Sequence, residues 1–113
     1  MPLDNLETQL RRGVLEYCVL GLLEEREHYG HEIVQRLNRA DGLLTSEGTI
    51  YPLLARLRRE AHVMTEWQES ASGPPRRYYR LTDSGRRVLS EFRESWSRFR
   101  KAVESVIAVE GAS

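Results

Sequence analysis

One β-hairpin pattern, set between helical patterns, restricts the fold of this chain more than any other feature. In residues 63–69, Val63, Thr65 and Trp67 alternate with Met64, Glu66 and Gln68, as expected of a strand whose two faces differ. Residues 76–81 form a second strand pattern, which is aromatic and basic. The Ser, Gly and Pro residues of 70–75 separate the two as a turn cluster. The two strands are therefore predicted to pair as a hairpin.

The residues before the hairpin predict three helices. Apolar side chains recur every four positions over residues 3–25, which predicts one amphipathic helix. A second helix is predicted from Gly30 to about Ala40, and Asp41-Gly42 is predicted to be a turn. The third is predicted from about Ser46 to Glu60. Pro52 favours a start a few residues later, because proline is tolerated in the first turn of a helix but kinks its interior.

A long helix is predicted after the hairpin. Thr82 is expected to cap this last helix, which covers residues 82–108. The order of elements predicts a mostly α fold with a small β-hairpin (α+β), namely a winged helix-turn-helix followed by one long helix. We assign residues 1–81 to a winged-helix DNA-binding domain, whose first helix also contributes to a dimer. Residues 82–113 are assigned to a C-terminal dimerisation helix.

Charge is distributed unevenly along a chain whose net charge is zero. Residues 45–90 contain eight arginines and five acidic residues, a net charge of +3, whereas residues 1–27 contain three arginines and six acidic residues, a net charge of −3. Guanidinium groups suit bidentate contacts to phosphate and guanine. The positive segment coincides with the third helix and the hairpin, which favours a DNA-binding surface there. Solvated surface charge is the alternative interpretation of any single arginine.

The third helix and the hairpin supply the predicted DNA contacts. The apolar stripe of this helix, which must face the core, comprises Ile50, Leu53, Leu54 and Leu57. A helix N-terminus attracts phosphate, and an exposed helix of this kind fits the major groove. The predicted contacts on the exposed side and the wing are Ser46, Thr49, Tyr51, Pro52, Arg56, Gly73, Arg76 and Arg77, and Arg59 also lies on the exposed side. A winged helix that contacts only proteins is the alternative.

The last helix has an apolar seam with heptad-like spacing. Seam residues step by three and four positions, and a domain this small offers the seam no partner. The seam is therefore predicted to pack on a second copy of the chain, together with the apolar face of the first helix. Packing of the seam within one chain is the alternative. The predicted dimer interface comprises Leu6, Leu10, Leu89, Phe92, Trp96, Phe99 and Val103.

Three stretches together resemble the PadR family of bacterial transcriptional regulators. They are Tyr29-Gly30-His31-Glu32-Ile33, residues 46–57 (SEGTIYPLLARL) and residues 73–82 (GPPRRYYRLT). The resemblance covers about Leu6 to Ile107 and is to the short form, which has a single helix after the wing. It implies a homodimeric repressor that acts on a nearby operator.

The resemblance also implies which residues contact DNA. The residues that match the DNA-contacting elements of the family are Tyr29, Ser46, Thr49, Tyr51, Arg76 and Arg77. Two positions depart from the family pattern. His31 stands where tyrosine is more usual, and Ala61-His62 stands where a glycine commonly ends the recognition helix. The departures leave the fold interpretation intact and leave the roles of His31 and His62 open.

Trp96 has a further role implied by the resemblance. In multidrug-binding relatives of the family, a tryptophan at the matching place lines a hydrophobic slot at the dimer centre, and residues 94–98 are similar to that stretch. The hypothesis is that Trp96 and its symmetry mate stack a planar hydrophobic effector, which changes the spacing of the two recognition helices and releases DNA. The alternative is that Trp96 is dimer core without a ligand.

No cofactor, metal site or enzymatic activity is predicted. His28 and His31 have i, i+3 spacing beside Glu32 but lack a third spaced ligand, so surface or capping roles are expected. Cys18 lies on the apolar face of the first helix and is predicted to be a small core residue. The sequence has no glycine-rich phosphate loop and no G-x-S-x-G elbow.

The expected location is the cytoplasm, with no membrane partner. A single cysteine allows no intrachain disulfide. Residues 1–10 contain Asp4 and Glu7 where a secretory signal has a basic start and an apolar run. The longest apolar stretch, Cys18–Leu23, is too short to cross a bilayer. The expected partners are double-stranded operator DNA, palindromic to match a symmetric dimer, and a second copy of the chain.

Overall fold

The computed structural model has five α-helices and one three-stranded antiparallel sheet among the residues that it describes. These residues are 3–40, 43 and 45–107, with side chains from residue 6 onward. In chain order the elements are α1 (Leu3–Arg12), α2 (Leu15–Glu25), β1 (His28–Tyr29), α3 (Gly30–Asn38), α4 (Glu47–Arg59), β2 (Val63–Ser70), β3 (Gly73–Leu81) and α5 (Asp83–Ile107). The predicted α+β winged-helix fold is confirmed. The turn predicted at Asp41-Gly42 lies outside the described residues.

The prediction of one helix over residues 3–25 is wrong, because the helix is interrupted at Gly13 and Val14. Glycine destabilises a helix interior because its backbone has the most conformational freedom to lose. The N–H of Val14 donates to the Arg11 carbonyl at 3.0 Å, an i→i−3 bond that tightens the last turn of α1. The N–H of Cys18 then donates to the Val14 carbonyl at 3.1 Å and begins the bonding pattern of α2.

The core lies between α2, α3, α4 and the sheet. The predicted stripe of α4 is confirmed, since Ile50, Leu54 and Leu57 are fully buried and Leu53 is partly buried. Burial of each of these large aliphatic side chains contributes about 1.5–3 kcal/mol. The rest of the core comprises Leu15, Val19, Leu20, Leu23, Ile33, Val34, Leu37, Val63, Tyr79, Leu81 and Leu89. One side of α4 is therefore buried in the core, and the opposite side, with Gly48 and Pro52, is exposed and available for contacts outside the chain.

The later start predicted for α4 is wrong. The helix begins at Glu47 with Ser46 as its N-cap, so Pro52 is inside the helix. The N–H groups of Thr49 and Ile50 both donate to the Ser46 carbonyl, at 3.1 and 3.0 Å. A proline inside a helix costs about 3 kcal/mol. The burial of three apolar side chains on the same helix offsets that cost, and this packing contribution is what the local proline rule leaves out.

The C-terminal end of α4 is closed by a residue in the left-handed conformation. Ala61 has a φ of 62°. Its N–H donates to the Arg58 carbonyl at 3.0 Å, and the N–H of His62 donates to the Leu57 carbonyl at 2.9 Å. These two bonds form a Schellman motif, in which glycine is the usual residue at the left-handed position. The departure from glycine noted in the sequence therefore falls at a position where an L-residue is strained.

The predicted hairpin is confirmed, but its strands are longer and its turn shorter than predicted. The turn is only residues 71–72, and β3 already begins at Gly73. Pro74 and Pro75 fit in β3 because β1 pairs only with Tyr78 and Tyr79, which leaves β3 open on one side near the prolines. Sequence reasoning missed β1, which is too short to show a period. The order in the sheet is β1-β3-β2.

Thr82 caps α5 as predicted. Its Oγ1 accepts a hydrogen bond from the Gly85 N–H at 3.0 Å, and it donates one to the Ala61 carbonyl at 2.7 Å. A Cβ on Gly85 would lie 3.2 Å from the carbonyl carbon of His62, so this close approach of α5 to the end of α4 needs glycine.

Residue 108, the predicted last residue of this helix, lies outside the described part, and the division into two domains at residue 81 stays a prediction. None of the described helices is apolar over a length that would cross a membrane.

Candidate nucleic-acid interface

The first half of α4 presents a polar, exposed surface. Ser46, Thr49, Tyr51 and Pro52 are exposed, as predicted from the position of the apolar stripe. The positive end of the helix dipole lies at Glu47, next to the Ser46 and Thr49 hydroxyls. Hydroxyls and free backbone N–H groups at a helix start can bind phosphate oxygens. The structure therefore brings these predicted residues together on one exposed helix end.

Tyr51 is positioned by a close contact with α3. A Cβ on Gly30 would lie 2.8 Å from the Cζ and Oη atoms of Tyr51, so the ring packs directly on the Gly30 backbone. The Tyr51 side chain still has 43% of its surface exposed. Partial burial raises the pKa of its phenol above the ordinary value. The hydroxyl is therefore protonated at neutral pH and can donate a hydrogen bond from a fixed position.

The two arginines of the wing that are predicted to contact DNA, Arg76 and Arg77, lie on opposite faces of the sheet. Arg76 and Arg77 are consecutive in β3, and consecutive strand residues point to opposite faces. Arg77 is paired with Trp67 across the strands, and its guanidinium carbon lies 4.9 Å from the centre of the Trp67 ring. Arg76 instead lies 4.4 Å from the centre of the Tyr29 ring. Sequence reasoning treated the two arginines as equivalent, and the structure separates them.

A basic groove runs between α4 and the wing on the Arg77 face. We call it the wing groove; it has a volume of about 550 Å³ and is lined by Tyr51, Ala55, Arg58, Arg59, Arg77 and Tyr79. Among the described residues, its lining contains three arginines and no acidic residue. Arg58 and Arg59 form no ion pair with any described residue. The Nε–H of Arg77 is shielded from solvent and has no acceptor among them, so its hydrogen-bonding capacity is not met within the described chain.

Sequence reasoning missed three residues of the wing groove, namely Ala55, Arg58 and Tyr79. Arg59 is predicted to lie on the exposed side of the helix but is not among the predicted contacts. Arg58 follows Tyr51 by seven positions, which is two helical turns, so the helical period alone could have placed the two on one stripe. Tyr79 is two positions after Arg77 and shares its sheet face.

Of the predicted DNA contacts, only Tyr51 and Arg77 line the wing groove. Arg56 points to the other side of α4, where it pairs with Glu16 at 3.3 Å and Glu60 at 2.9 Å. Tyr29 is partly buried beside Tyr78, with ring centres 5.6 Å apart, and shares that face with Arg76. Gly73 is exposed at the start of β3. A role for these residues in DNA binding stays a prediction.

The predicted dimer seam is partly buried at its beginning and exposed beyond. Leu89 belongs to the core of its own chain, so its assignment to a dimer interface is wrong. Phe92 stacks on Tyr17 with ring centres 4.0 Å apart, which ties this part of α5 to α2. The seam residues beyond this point are exposed, as are both predicted α1 residues; they are Trp96, Phe99, Val103, Leu6 and Leu10.

The histidines have local structural roles. Of the two roles expected of His28, the surface role is wrong, because the side chain is fully buried, and the capping role fits, because the side chain bonds the carbonyl of Arg26, the C-cap residue of α2. Its Nδ1 lies 2.9 Å from the Arg26 carbonyl, so Nδ1–H is the donor. His31 is exposed and lies 2.9 Å from Glu47 in the first turn of α4, and His62 lies 2.9 Å from the Ser84 hydroxyl. Within the described ranges, no group of three or more His, Cys, Asp or Glu side chains could hold a metal.

Cys18 is only partly buried and packs against the core from α2. Desolvation raises the pKa of its thiol. The thiol is therefore the dominant form at neutral pH, which is the less nucleophilic one.

Comparisons with known proteins place the chain among transcriptional regulators. Residues 19–91 match the model of the transcriptional regulator PadR-like family. A protein named "Transcriptional regulator Rv3488" from Mycobacterium tuberculosis is 32% identical over 95 residues, which are 84% of this chain and 87% of that protein. These matches confirm the family resemblance.

Two solved structures extend the comparison to the fold. A PadR family transcriptional regulator from Eggerthella lenta is 34% identical, with a TM-score of 0.84 over 97% of this chain and 94% of that one. Bacillus subtilis PadR, solved in complex with operator DNA, is 30% identical, with a TM-score of 0.65. That match covers 70% of this chain and 46% of the Bacillus subtilis chain.

Proposed function

We propose that this chain, which belongs to the PadR-like family of transcriptional regulators, is a sequence-specific DNA-binding repressor that acts as a homodimer. α4 is its recognition helix and enters the major groove of operator DNA. The wing lies along the adjoining backbone. The observation that carries this proposal is the wing groove, because three arginines and no carboxylate line it beside the exposed side of α4 in the part of the chain that the structure describes. Action on operator DNA places the protein in the cytoplasm.

The electrostatics of the wing groove favour DNA over a protein partner. Arginines that face a groove without local counter-charges repel one another, and phosphates relieve that repulsion. Bacillus subtilis PadR, whose structure contains operator DNA, shares the fold and 30% of aligned residues. The alternative, a winged helix that contacts only proteins, leaves this charge without a function.

Dimer formation is proposed from the exposed apolar residues of α5 and α1. Trp96, Phe99 and Val103 lie three and four positions apart and form one stripe on α5. Large apolar side chains exposed in one stripe mark an interface. A two-fold dimer presents two α4 helices to half-sites about 34–36 Å apart, one turn of DNA.

The proposal also includes release of the protein from DNA by a small-molecule effector. Phe92, Trp96 and Phe99 form a ladder of rings whose centres are 5.8 and 6.4 Å apart. Trp96 is the middle ring, and 40% of its surface is exposed. A planar hydrophobic molecule stacked on Trp96 and its symmetry mate changes the spacing of the two α4 helices, and with it the affinity for DNA. An effect of such a molecule on Trp96 fluorescence and on DNA affinity together tests this step.

A gel shift with DNA from upstream of the protein's own gene tests the proposed function. The expected result is a shift that prefers this DNA over a shuffled sequence and weakens steeply with salt, because arginine–phosphate contacts release counterions. Thr49→Ala and Tyr51→Phe are expected to alter sequence preference. No salt-sensitive, sequence-preferring shift would favour the protein-interaction alternative. A reporter fused to the same DNA tests repression, since removal of the protein is expected to raise expression.

The family consists of transcriptional regulators, which are not enzymes. The polar clusters of this chain fit that role. His62 and Ser84 are hydrogen-bonded to each other at the joint between α4 and α5, where they fix the position of the recognition helix.

A further inference from the structure

A second basic groove lies along α4. We call it the α1 groove; it has a volume of about 670 Å³ and is bounded by the end of α1, the start of α2 and one face of α4. The lining residues that matter here are Arg11, Arg12, Glu16, Ser46, Thr49 and Arg56. The interruption of the helix at Gly13 separates α1 from α2, so both helices contribute to the lining. The α1 groove and the wing groove have no lining residue in common.

The two grooves lie on opposite flanks of α4. Thr49, Leu53 and Arg56 line the α1 groove at i, i+4 and i+7. Tyr51, Ala55 and Arg58 line the wing groove with the same spacing, two residues further along the helix. Since each residue turns an α-helix by about 100°, the two stripes are about 200° apart. The buried stripe of α4 lies between them on the inner side, and exposed Gly48 and Pro52 lie between them on the outer side.

A helix that enters the major groove of DNA meets both backbones. The groove is about 12 Å wide, and a helix with its side chains is about 10–12 Å in diameter. One sugar–phosphate strand therefore borders each flank of the helix. We infer that the wing groove and the α1 groove of this protein bind the two strands that border one major groove, so that the α1 groove is a second phosphate-binding site. This inference rests on the proposed function.

The chemistry of the α1 groove suits phosphate oxygens. Arg11 and Arg12 come from the last turn of α1, and the Ser46 and Thr49 hydroxyls come from the positive end of α4. Those hydroxyls share one long hydrogen bond of 3.4 Å, which a phosphate oxygen replaces at little cost. With three arginines and one glutamate, the lining has a net charge of +2.

Arg12 is the residue on which the site depends most. The charge of Arg56 is compensated by Glu16 at 3.3 Å, and Arg11 lies 3.8 Å from Glu7. Arg12 is exposed and forms no ion pair with any residue of the described part. Its charge is therefore the least compensated in the groove. The first helix then has two functions, because Leu6 and Leu10 belong to the proposed dimer surface and Arg12 binds DNA.

The test is the salt dependence of DNA affinity in Arg12→Gln, measured by fluorescence anisotropy on the upstream DNA. The slope of log affinity against log salt is expected to become shallower by about 0.9 for each phosphate that the variant no longer neutralises. In a dimer the two substituted protomers together make the slope shallower by about 1.8. Arg98→Gln is the matched control, because Arg98 is exposed on α5 and lines neither groove. Arg12→Lys keeps the charge and is expected to keep the wild-type slope. Circular dichroism checks that each variant is folded.

The outcomes separate this inference from the proposed function. A slope for Arg12→Gln equal to that of Arg98→Gln, with normal wild-type DNA binding, would overturn the inference alone. A wild-type chain without salt-dependent DNA binding would overturn the proposed function and the inference together. Inorganic sulfate at matched ionic strength distinguishes a free oxyanion from a DNA strand. Loss of sulfate-dependent thermal stabilisation in Arg12→Gln without a change in the DNA slope would assign the groove to a free oxyanion and overturn its assignment to DNA.

Discussion

The recognition helix and the distal half of the last helix differ in where their apolar side chains are buried. In α4, Ile50, Leu54 and Leu57 are fully buried in the core of the chain. In α5 beyond Phe92, Trp96 and Phe99 keep 40% and 63% of their surface exposed. Both helices have amphipathic sequences, so pattern alone does not distinguish them. The position of α4 is determined within one chain, whereas the apolar face of the distal half of α5 stays exposed in one chain and is the surface that we propose packs on a second copy.

The largest expected effect follows from removal of a core side chain of α4. Leu54→Ala is expected to lower the free energy of unfolding by about 2–5 kcal/mol, because it removes buried methyl groups and leaves a cavity. Phe99→Ala is the matched change in the exposed part of α5 and is expected to cost far less in a monomer. Urea denaturation followed by circular dichroism measures both. Equal losses of unfolding free energy in the two variants would contradict the claim that α4 is buried in the core and the distal half of α5 is not.

A charged side chain placed among the exposed apolar residues of α5 tests whether this part of the helix forms the proposed dimer interface. Phe99→Glu is expected to weaken self-association by about 100-fold or more, since a buried unpaired charge costs several kcal/mol and each 1.4 kcal/mol is about a factor of ten. The helices of the isolated chain are expected to persist, because Phe99 lies outside its core. Sedimentation equilibrium measures the association.

Arg98→Glu is the control for this change, since Arg98 lies about 100° from Phe99 and about 200° from Trp96 on the helix, off the exposed apolar stripe. A Phe99→Glu protein that remains a dimer, or a control that dissociates equally, would contradict the proposed interface.

The buried histidine makes the stability of the winged helix depend on pH. Desolvation lowers the pKa of His28 in the folded chain below its ordinary value, which is near 6.5 in the unfolded chain. The unfolded chain therefore binds the proton more readily, so stability is retained above pH 6.5 and lost as pH falls below it. The loss is at most about 1.4 kcal/mol per pH unit. Thermal melts at pH 7.5 and 5.5 are expected to differ more in the wild type than in His28→Phe.

His31→Gln is the control for the pH experiment, because His31 is exposed. Its melts are expected to keep the wild-type difference between the two pH values. If His31→Gln, and not His28→Phe, removes the difference, the assignment to the buried histidine is wrong.

The smallest expected effect concerns Ala61, which closes the C-terminal end of α4 and whose carbonyl accepts a hydrogen bond from Thr82, the cap of α5. Ala61→Gly is expected to stabilise the fold by about 0.5–1 kcal/mol, because the left-handed conformation costs an L-residue about 1–2 kcal/mol and part of this gain is lost to the greater freedom of glycine when unfolded. Urea denaturation measures the change. Destabilisation would mean that the Ala61 methyl group makes a packing contribution larger than the strain.

Periodic features of this chain could be predicted from sequence, and features that depend on distant partners could not. The stripe of α4 and the cap at Thr82 were predictable because they depend on local spacing. The interruption at Gly13 was not, since the apolar repeat continues through it. β1 was not, because its two residues are strand only through pairing with Tyr78 and Tyr79.

The candidate site shows the same division. The exposure of Thr49 and Tyr51 follows from the position of the buried stripe on the same helix. The compensation of Arg56 by Glu16 does not follow, since the two residues are 40 positions apart and meet only through tertiary packing. The placement of Arg76 and Arg77 on opposite faces of the sheet could be predicted only in part. Strand alternation already implies the opposite faces, but which face points to α4 depends on the sheet's packing.

The most direct test of the central claim compares the affinities of Arg77→Gln and Arg76→Gln for the upstream DNA at one salt concentration. The two variants lose the same charge at neighbouring positions, but only Arg77 lines the wing groove beside α4. Arg77→Gln is expected to weaken binding by about tenfold or more, since a hydrogen bond to a charged group contributes about 1.5–3 kcal/mol, and Arg76→Gln is expected to weaken it much less. Equal losses, or a larger loss for Arg76→Gln, would contradict the assignment of the wing groove to DNA.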